Sequence, residues 1–331
     1  MNAHQHQFQQ PDPESKPLEG ISEDNVTEFQ LKTPVAFIIF NRPDTTERVF
    51  AEIARARPPK LLVVGDGPRA SREGEVAKVA ATRDIINRVD WPCDVLTNFS
   101  DANLGCKVRV SSGLDWVFEQ VPEAIILEDD CLPHPTFFRF CQELLERYRD
   151  DQRIGMISGD NFQFGHTIND DSYYFSNINH IWGWASWRNR WQHDYDVDLK
   201  KWPKIRDEKR FCDWYSQKAV QDSFVETLEK VYQGKIDTWD YQWQFSSRLN
   251  GRIAVMPNIN LISNIGFGVD ATHTTGRSDF SNLPIAPIKF PLKHPEAIFA
   301  SFTLDNIFNQ RNLPKSLAQR IKSKLNKVIT L

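Results

Sequence analysis

The first part of the chain alternates short apolar runs with amphipathic stretches of helical period. Three of these runs, at 35–40, 61–64 and 124–127, are continuous and apolar, as expected for strands that are buried in a parallel sheet, and a further strand is predicted near 93–97. Helices are predicted between them over about 44–57, 73–88 and 105–119. The pattern therefore predicts an α/β fold with a mostly parallel central sheet and helices on both faces. The four predicted strands lie at 35–40, 61–64, 93–97 and 124–127.

The rest of the chain has a weaker pattern. Strands are predicted near 154–157, 173–177 and 252–256, and helices across 207–233 and from about 239 to 249. Residues 1–32 carry almost no apolar positions and cannot bury enough surface to offset the entropy of ordering, so we expect disorder there. The predicted units are a disordered tail (1–32), an α/β domain (33–280, divided into 33–150 and 151–280) and an extension (281–331) with a basic amphipathic helix from Pro314.

Polar side chains follow three of the predicted strands at the point where each strand ends. In parallel sheets ligands bind outside the carboxyl ends of the strands, so these three loops should converge on one site. The residues are Asn41 and Arg42 after the first strand, Asp66 and Arg69 after the second, and Glu128, Asp129 and Asp130 after the fourth.

The acids Glu128-Asp129-Asp130 indicate a cation site. Like charges this close are unfavourable unless a cation or strong hydrogen-bond donors compensate them. Mg²⁺ or Mn²⁺ needs only one or two carboxylates when substrate phosphates complete its shell, and it neutralises charge on a departing diphosphate. The alternative is an acidic loop that is solvated or caps the helix predicted to start near Pro135.

Asp66 and the two arginines are candidate nucleotide contacts. The planar donor forks of Arg42 and Arg69 suit phosphate, and Asp66 can accept a hydrogen bond from a nucleobase imide. The alternatives are that the arginines are surface residues and that Asp66 is a turn residue, since Asp-Gly strongly favours a turn. For Asp66 taken alone, the turn is the favoured interpretation.

Asp240 opens a predicted helix between two aromatic residues. An aspartate flanked by aromatic rings can be desolvated, which raises its pKa and suits it to act as a general base. An acid that stabilises the first turn of the helix is an equal alternative.

Two further segments carry candidate ligand contacts. The segment 181–187 contains three indoles, among them Trp182 and Trp184, which fit either a sugar platform or the core. His273 lies in a loop rich in Gly and hydroxyl groups and is a candidate contact for a diphosphate or a metal, although a lone histidine is usually structural.

Composition narrows the class of protein. The formal net charge of −4 argues against a general nucleic-acid binder. The five cysteines lack the spacing of a zinc or redox motif and favour a reducing compartment. No apolar stretch reaches the roughly 20 residues that span a bilayer, and no signal peptide is recognisable. We expect a cytoplasmic protein, with at most peripheral membrane contact through the basic C-terminal helix.

These motifs together resemble the glycosyltransferases of the Rossmann-like GT-A fold. The chain is similar to bacterial family-2-like transferases and, more distantly, to the eukaryotic β-1,2-N-acetylglucosaminyltransferase I family, from about Pro34 to His273. The firmest anchor is the acidic motif at 125–130 followed by Pro135-Thr136-Phe137-Phe138. The resemblance implies that Asp130 is the principal metal ligand, with Asp129 in support.

The resemblance also implies roles elsewhere in the chain. Arg42 matches an arginine that contacts phosphate or nucleotide, Asp66 an aspartate that contacts uracil, and Asp240 the catalytic base of the eukaryotic enzymes, although the spacing around Asp240 differs. The remaining assignments are Asn41, Arg69 and Lys107 at the donor, Glu128 and His273 at the metal, and Trp182, Trp184 and Trp239 at the acceptor.

The implied function is transfer of a sugar from a nucleotide-diphosphate donor, by resemblance a UDP-sugar, with inversion, to a glycan or lipid-linked acceptor in polysaccharide assembly. Mn²⁺ or Mg²⁺ would be the cofactor. Two other classes of enzyme fit less well. A sugar-nucleotide pyrophosphorylase would carry a Gly-rich loop after the first strand, where this chain has Asn41-Arg42-Pro43-Asp44. A haloacid-dehalogenase-type phosphatase would carry an aspartate directly after the first strand, and this chain has none there. A non-catalytic nucleotide-sugar or glycan-binding protein is the alternative from a different class.

Overall fold

The computed structural model describes residues 29–267 and 279–313. His273, most of the predicted N-terminal tail and the predicted basic helix from Pro314 lie outside these residues. The strands of the described part are β1 (Val35–Ile39), β2 (Lys60–Gly65), β3 (Asp94–Phe99), β4 (Glu123–Glu128), β5 (Cys131–Pro133), β6 (Ile154–Ser158), β7 (Tyr173–Ser176), β8 (Trp184–Trp187), β9 (Ile253–Pro257) and β10 (Ile262–Asn264).

The helices pack on this sheet and on one another. Two short 3₁₀ segments, Ile85–Arg88 and Arg210–Trp214, accompany them. The α-helices of the described part are α1 (Pro43–Ala56), α2 (Glu75–Asp84), α3 (Gly105–Gln120), α4 (Thr136–Arg147), α5 (Arg188–Asp194), α6 (Trp202–Asp207), α7 (Lys218–Tyr232), α8 (Asp240–Leu249) and α9 (Phe302–Asn312). None of these helices is long and apolar enough to cross a membrane.

The central sheet has eight strands in the order β3-β2-β1-β4-β8-β6-β9-β7. The first four are mutually parallel, β8 runs antiparallel to both β4 and β6, β9 is parallel to β6, and β7 is antiparallel to β9. The predicted α/β class with a mostly parallel sheet is therefore confirmed. The register pairs Ile38 with Glu128, which brings the loops that follow β1 and β4 together.

The predicted early elements form because each satisfies its own local requirements. All five residues of β1 are buried. Helix α1 begins with Pro43 in its first turn and ends where Arg57 adopts a left-handed conformation, with φ of 49°, just before Pro58. Helix α2 is shorter than predicted, since Ile85–Arg88 continues it as a 3₁₀ turn.

Strand β8 was not predicted, although it lies in the middle of the sheet. Its four residues, Trp184–Trp187, are all buried between β4 and β6. A run this short has no readable period, and its conformation is set by partners far away in the chain. The helical segments predicted across 207–233 are the 3₁₀ turn Arg210–Trp214 and α7.

Both ends of the predicted domain extend further than the sequence pattern indicates. Leu31 is buried, and the backbone N–H groups of Lys32 and Thr33 donate to Gln142 Oε1 at 2.6 and 3.1 Å. Helix α9, within the predicted C-terminal extension, is tied to the sheet by Asp305, which accepts from Ser176 Oγ at 2.5 Å.

Candidate active site

A cleft of about 300 Å³ opens where β1, β2 and β4 end. We call it the first cleft. The structure brings residues from all three strand-end loops together here, because parallel strands present their carboxyl ends at one edge of the sheet. Its polar lining consists of Arg42, Asp66, Arg69, Asn103, Arg109, Glu128, Asp129 and Asp237, with the thiol of Cys106 beside them.

Arg42 compensates two of the three consecutive acids. Its Nη1 donates to Asp130 Oδ2 at 2.5 Å and lies 3.8 Å from Asp129 Oδ1. Asp129 Oδ2 also accepts from the backbone N–H of Phe40 at 3.0 Å. Glu128 Oε1 is buried without a hydrogen-bond partner. Burial, and then the charges of Asp130 and Asp129, raise the pKa of Glu128.

This donor set fits a divalent ion that also coordinates its substrate. Among residues 29–267 and 279–313, no three His, Cys, Asp or Glu side chains converge as a metal cage. The carboxylates of Asp129 and Asp130 instead suit an ion whose shell is completed by phosphate oxygens and water.

Asp66 organises the loop that leads into α3. Its Oδ1 accepts from the backbone N–H groups of Gly67 at 2.8 Å and Leu104 at 2.9 Å. Its Oδ2 accepts from Asn103 Nδ2 at 2.9 Å and from Gly105 N–H at 3.1 Å. Both oxygens are thus used within the protein, which favours the structural interpretation. Contact with a base stays a prediction.

Asp237, which is distant from α3 in the sequence, completes the cap at the start of this helix. It accepts from the backbone N–H groups of Cys106 at 2.9 Å and Lys107 at 3.0 Å. Together with Asp66 it satisfies four consecutive N–H groups at a helix start, so this end of α3 is already matched with negative charge and does not offer its N–H groups to phosphate. The sequence gives no local indication of this role, because the partners lie 131 and 130 residues apart.

Glu75 accepts hydrogen bonds from two residues that are predicted to contact the nucleotide-sugar donor. Asn41 Nδ2 donates to Glu75 Oε1 at 2.9 Å, and Arg69 Nε donates to both carboxylate oxygens at 3.0 Å. The hydrogen bonds from Arg69 are the main cause that lowers the pKa of Glu75. Lys107 Nζ lies 3.9 Å from Asp198 Oδ1, and its contact with the donor stays a prediction. In the sequence Glu75 is only a first-turn acid of a predicted helix.

A second cleft, of about 290 Å³, contains Asp240. Thr238 Oγ1 donates to Asp240 Oδ1. The charge of Asp240 adds to burial in raising the pKa of Glu128 and of Cys106, both of which line the first cleft. Asp240 therefore belongs to the second cleft and acts electrostatically on the first. The aromatic lining of the second cleft is Phe162, His180, Trp182, Tyr215, Phe224, Tyr241, Phe280 and Phe308.

Of the three tryptophans assigned to the acceptor, only Trp182 lines this second cleft. Trp182 packs edge-on against Phe162, with ring centroids 5.1 Å apart. Trp184 and Trp239 are 0% and 2% exposed and stack on each other in the core, at 5.7 Å. Neither of these two lines the second cleft, and their assignment to the acceptor stays a prediction. Phe308 was missed, since it enters the cleft from α9.

Burial determines the protonation of three thiols and of one histidine. All five cysteines are free thiols, and burial raises the pKa of Cys106, Cys131 and Cys141. Burial lowers the pKa of His180 to about 3, and its ring lies 4.5 Å from that of Phe162. His180 therefore contributes a neutral aromatic ring to the wall of the second cleft.

Comparison with known proteins gives structural similarities only. No protein-family model matches the chain, and no curated protein matches it significantly. Mouse xyloside xylosyltransferase 1 in its apo form is similar with a TM-score of 0.31 and 13% identity, over 65% of this chain and 81% of that one. Galactosyltransferase LgtC, in complex with donor and acceptor sugar analogues, gives 0.34 and 11%, over 88% and 100%. UDP-glucose pyrophosphorylase complexed with UDP-glucose gives 0.32 and 8%, over 68% and 90%. None of these matches assigns the chain to a family.

Proposed function

We propose that this chain is a metal-dependent glycosyltransferase. It transfers a sugar from a nucleotide-diphosphate donor, a UDP-sugar, to a hydroxyl group of a glycan or lipid-linked acceptor, with inversion. The donor binds in the first cleft and the acceptor in the second. The observation that carries this proposal is the position of Asp240, which lines the second cleft and yet influences the charge of Glu128 in the first.

Asp240 is the general base of the proposed reaction. Its carboxylate takes the proton of the acceptor hydroxyl as that oxygen forms a bond to the anomeric carbon. The bond from the anomeric carbon to the diphosphate oxygen breaks at the same time, and its electron pair leaves with the diphosphate. Attack opposite to the leaving group inverts the configuration at that carbon.

The acids at the end of β4 would bind the metal ion that assists the leaving group. Asp130 and Asp129 would hold Mn²⁺ or Mg²⁺, which neutralises the charge that develops on the diphosphate. Arg42 provides a planar fork that matches phosphate oxygens. The acceptor ring would lie against Trp182 and Phe308, because aromatic faces pack well against the apolar faces of sugars.

Thermal denaturation with nucleotide diphosphates tests this assignment. UDP, GDP and CDP are each added with Mn²⁺, Mg²⁺ or EDTA to the wild type, to Asp130→Asn and to the control Asp101→Asn, which alters an exposed acid. A ligand that binds only the folded state stabilises it by about 2.7 kcal/mol at a hundredfold excess over Kd. We expect a Mn²⁺-dependent increase with UDP in the wild type and control, and its loss in Asp130→Asn. The absence of any nucleotide effect in the wild type would refute the proposal.

A non-catalytic nucleotide-sugar or glycan-binding protein is the second candidate. One observation favours glycan binding: Asp66 and Arg69, the predicted nucleotide contacts, are already satisfied by partners within the protein. This alternative predicts saturable binding of a glycan without any consumption of a nucleotide sugar. Measurement of donor consumption at saturating concentration separates the two candidates.

A further inference from the structure

The guanidinium of Arg42 occupies the position where a metal ion would meet Asp130. Only 18% of the Arg42 side chain and 14% of the Asp130 side chain are exposed. The segment after β10 encloses the pair, since Ile265 N–H donates to the Asp130 carbonyl at 2.8 Å. A Cβ atom placed on Gly266 would overlap both Asp130 Oδ2 and Arg42 Nη1. The space around this ion pair is therefore filled by the protein itself.

A divalent ion cannot bind Asp130 Oδ2 while Arg42 holds that oxygen. Mg²⁺ binds carboxylate oxygens at about 2.0–2.1 Å, and Arg42 Nη1 already lies 2.5 Å from Asp130 Oδ2. Two positive groups at such distances from one oxygen would repel each other strongly. Because Arg42 is largely buried, moving it off its acids is unfavourable unless another anion receives it.

We propose that Arg42 is an internal counter-ion which keeps the metal position closed until a nucleoside diphosphate draws the arginine onto its phosphates. This inference rests on the proposed function. The diphosphate replaces Asp130 as the partner of Arg42, and Asp130 becomes available to the metal. Metal and nucleotide then bind with positive coupling, and the coupling is reciprocal. Arg42 acts here as a positioning residue for both ligands.

Binding of Mn²⁺ to the protein without nucleotide tests the role of Arg42. Free Mn²⁺ is measured by electron paramagnetic resonance during titration of the wild type, Arg42→Gln, Arg42→Lys and Arg69→Gln. Arg69 is the matched control, because it lines the same cleft but pairs with Glu75. We expect Arg42→Gln to bind Mn²⁺ about tenfold more tightly than the wild type, within the usual range of coupling between sites. Arg42→Lys, which keeps the charge, and Arg69→Gln should stay close to the wild type.

These titrations distinguish a failure of the proposed role of Arg42 from a failure of the proposed function. An unchanged or weaker Mn²⁺ affinity in Arg42→Gln, in a protein that still binds Mn²⁺ together with UDP, would overturn the role of Arg42 and leave the proposed function standing. If no variant binds Mn²⁺ with or without UDP, the proposed function itself fails.

A second variant covers the case in which Arg42→Gln does not fold. Asp130→Asn weakens the hold on Arg42, so UDP should bind this variant several times more tightly than the wild type in EDTA. The control Asp101→Asn removes a negative charge elsewhere and should leave UDP affinity in EDTA unchanged. Equal affinity of Asp130→Asn and the wild type would contradict the inference.

Discussion

Replacement of Asp66 by asparagine separates the capping role of this residue from a role in recognising a base. The asparagine oxygen can keep the two hydrogen bonds from Gly67 and Leu104 N–H. Its NH₂ group would replace Oδ2, which now faces two donors, Asn103 Nδ2 and Gly105 N–H. Asn103 Nδ2 retains a second acceptor, the Gly67 carbonyl at 3.0 Å, whereas Gly105 N–H is left without one.

The expected cost follows from these contacts. A buried donor left without an acceptor costs about 1–3 kcal/mol. Loss of the negative charge adds nothing to this cost, because burial already disfavours the ionised carboxylate and raises the pKa of Asp66. We therefore expect Asp66→Asn to lower the free energy of unfolding by about 1–3 kcal/mol. At about 2–4 °C per kcal/mol, Tm falls by roughly 2–12 °C.

Thermal and urea denaturation of Asp66→Asn, with the exposed acid variant Asp101→Asn as control, measure this cost. Binding of UDP and GDP to the same proteins, at a temperature where both are folded, measures base recognition. The capping account predicts a large loss of stability with an unchanged preference between the two bases. A decrease in Tm of less than about 1 °C is well below the effect of one unsatisfied donor and would contradict the capping role of Asp66.

Three further predictions follow from the second cleft and the C-terminus. Trp184→Ala should lower the free energy of unfolding by about 3–5 kcal/mol, which urea denaturation measures. Trp182→Ala should lower it much less but weaken acceptor binding, which titration with a glycan measures. His180 has a folded-state pKa of about 3, below its unfolded value. Neutral His180 therefore contributes fully to stability above about pH 6.5, and this contribution declines as the pH falls towards 3. At pH 5 the loss is about 2 kcal/mol. His180→Phe should remove this part of the acid sensitivity, which urea denaturation at pH 7 and pH 5 measures. Truncation of residues 314–331 should abolish flotation with anionic liposomes if the basic helix contacts membranes, and equal flotation of both forms would contradict that contact.

The parts of the fold that were predictable depend on local pattern. Strands β1, β2 and β4 contain continuous apolar runs, each followed by polar residues, whereas β3 includes Asp94, Thr97 and Asn98. The rule that parallel strands present their carboxyl ends at one edge then gathers Arg42, Asp66 and Asp129 into one cleft. These steps use only neighbouring residues and one general property of α/β sheets, so the sequence suffices for them.

The unpredicted parts depend on partners that are distant in the chain. Trp184 is a core residue because β8 is inserted between β4 and β6, and an aromatic cluster alone fits the core and a sugar platform equally well. Asp237 caps a helix that begins more than a hundred residues earlier. Phe308 reaches the second cleft from a helix beyond the predicted domain. Such pairings carry no periodic or compositional trace, since only the folded chain brings them together.

Consumption of nucleotide sugar by the wild type and by Asp240→Asn measures both the proposed activity and the catalytic role of Asp240. Asparagine keeps the Oδ1 that accepts from Thr238, so the local structure should persist. The account predicts Mn²⁺-dependent consumption of a UDP-sugar by the wild type in the presence of a glycan acceptor. It also predicts a loss of turnover of at least about a hundredfold in Asp240→Asn, with donor affinity unchanged. Equal turnover in the two proteins would contradict the role of Asp240, and no consumption of any nucleotide sugar by the wild type would contradict the proposed activity.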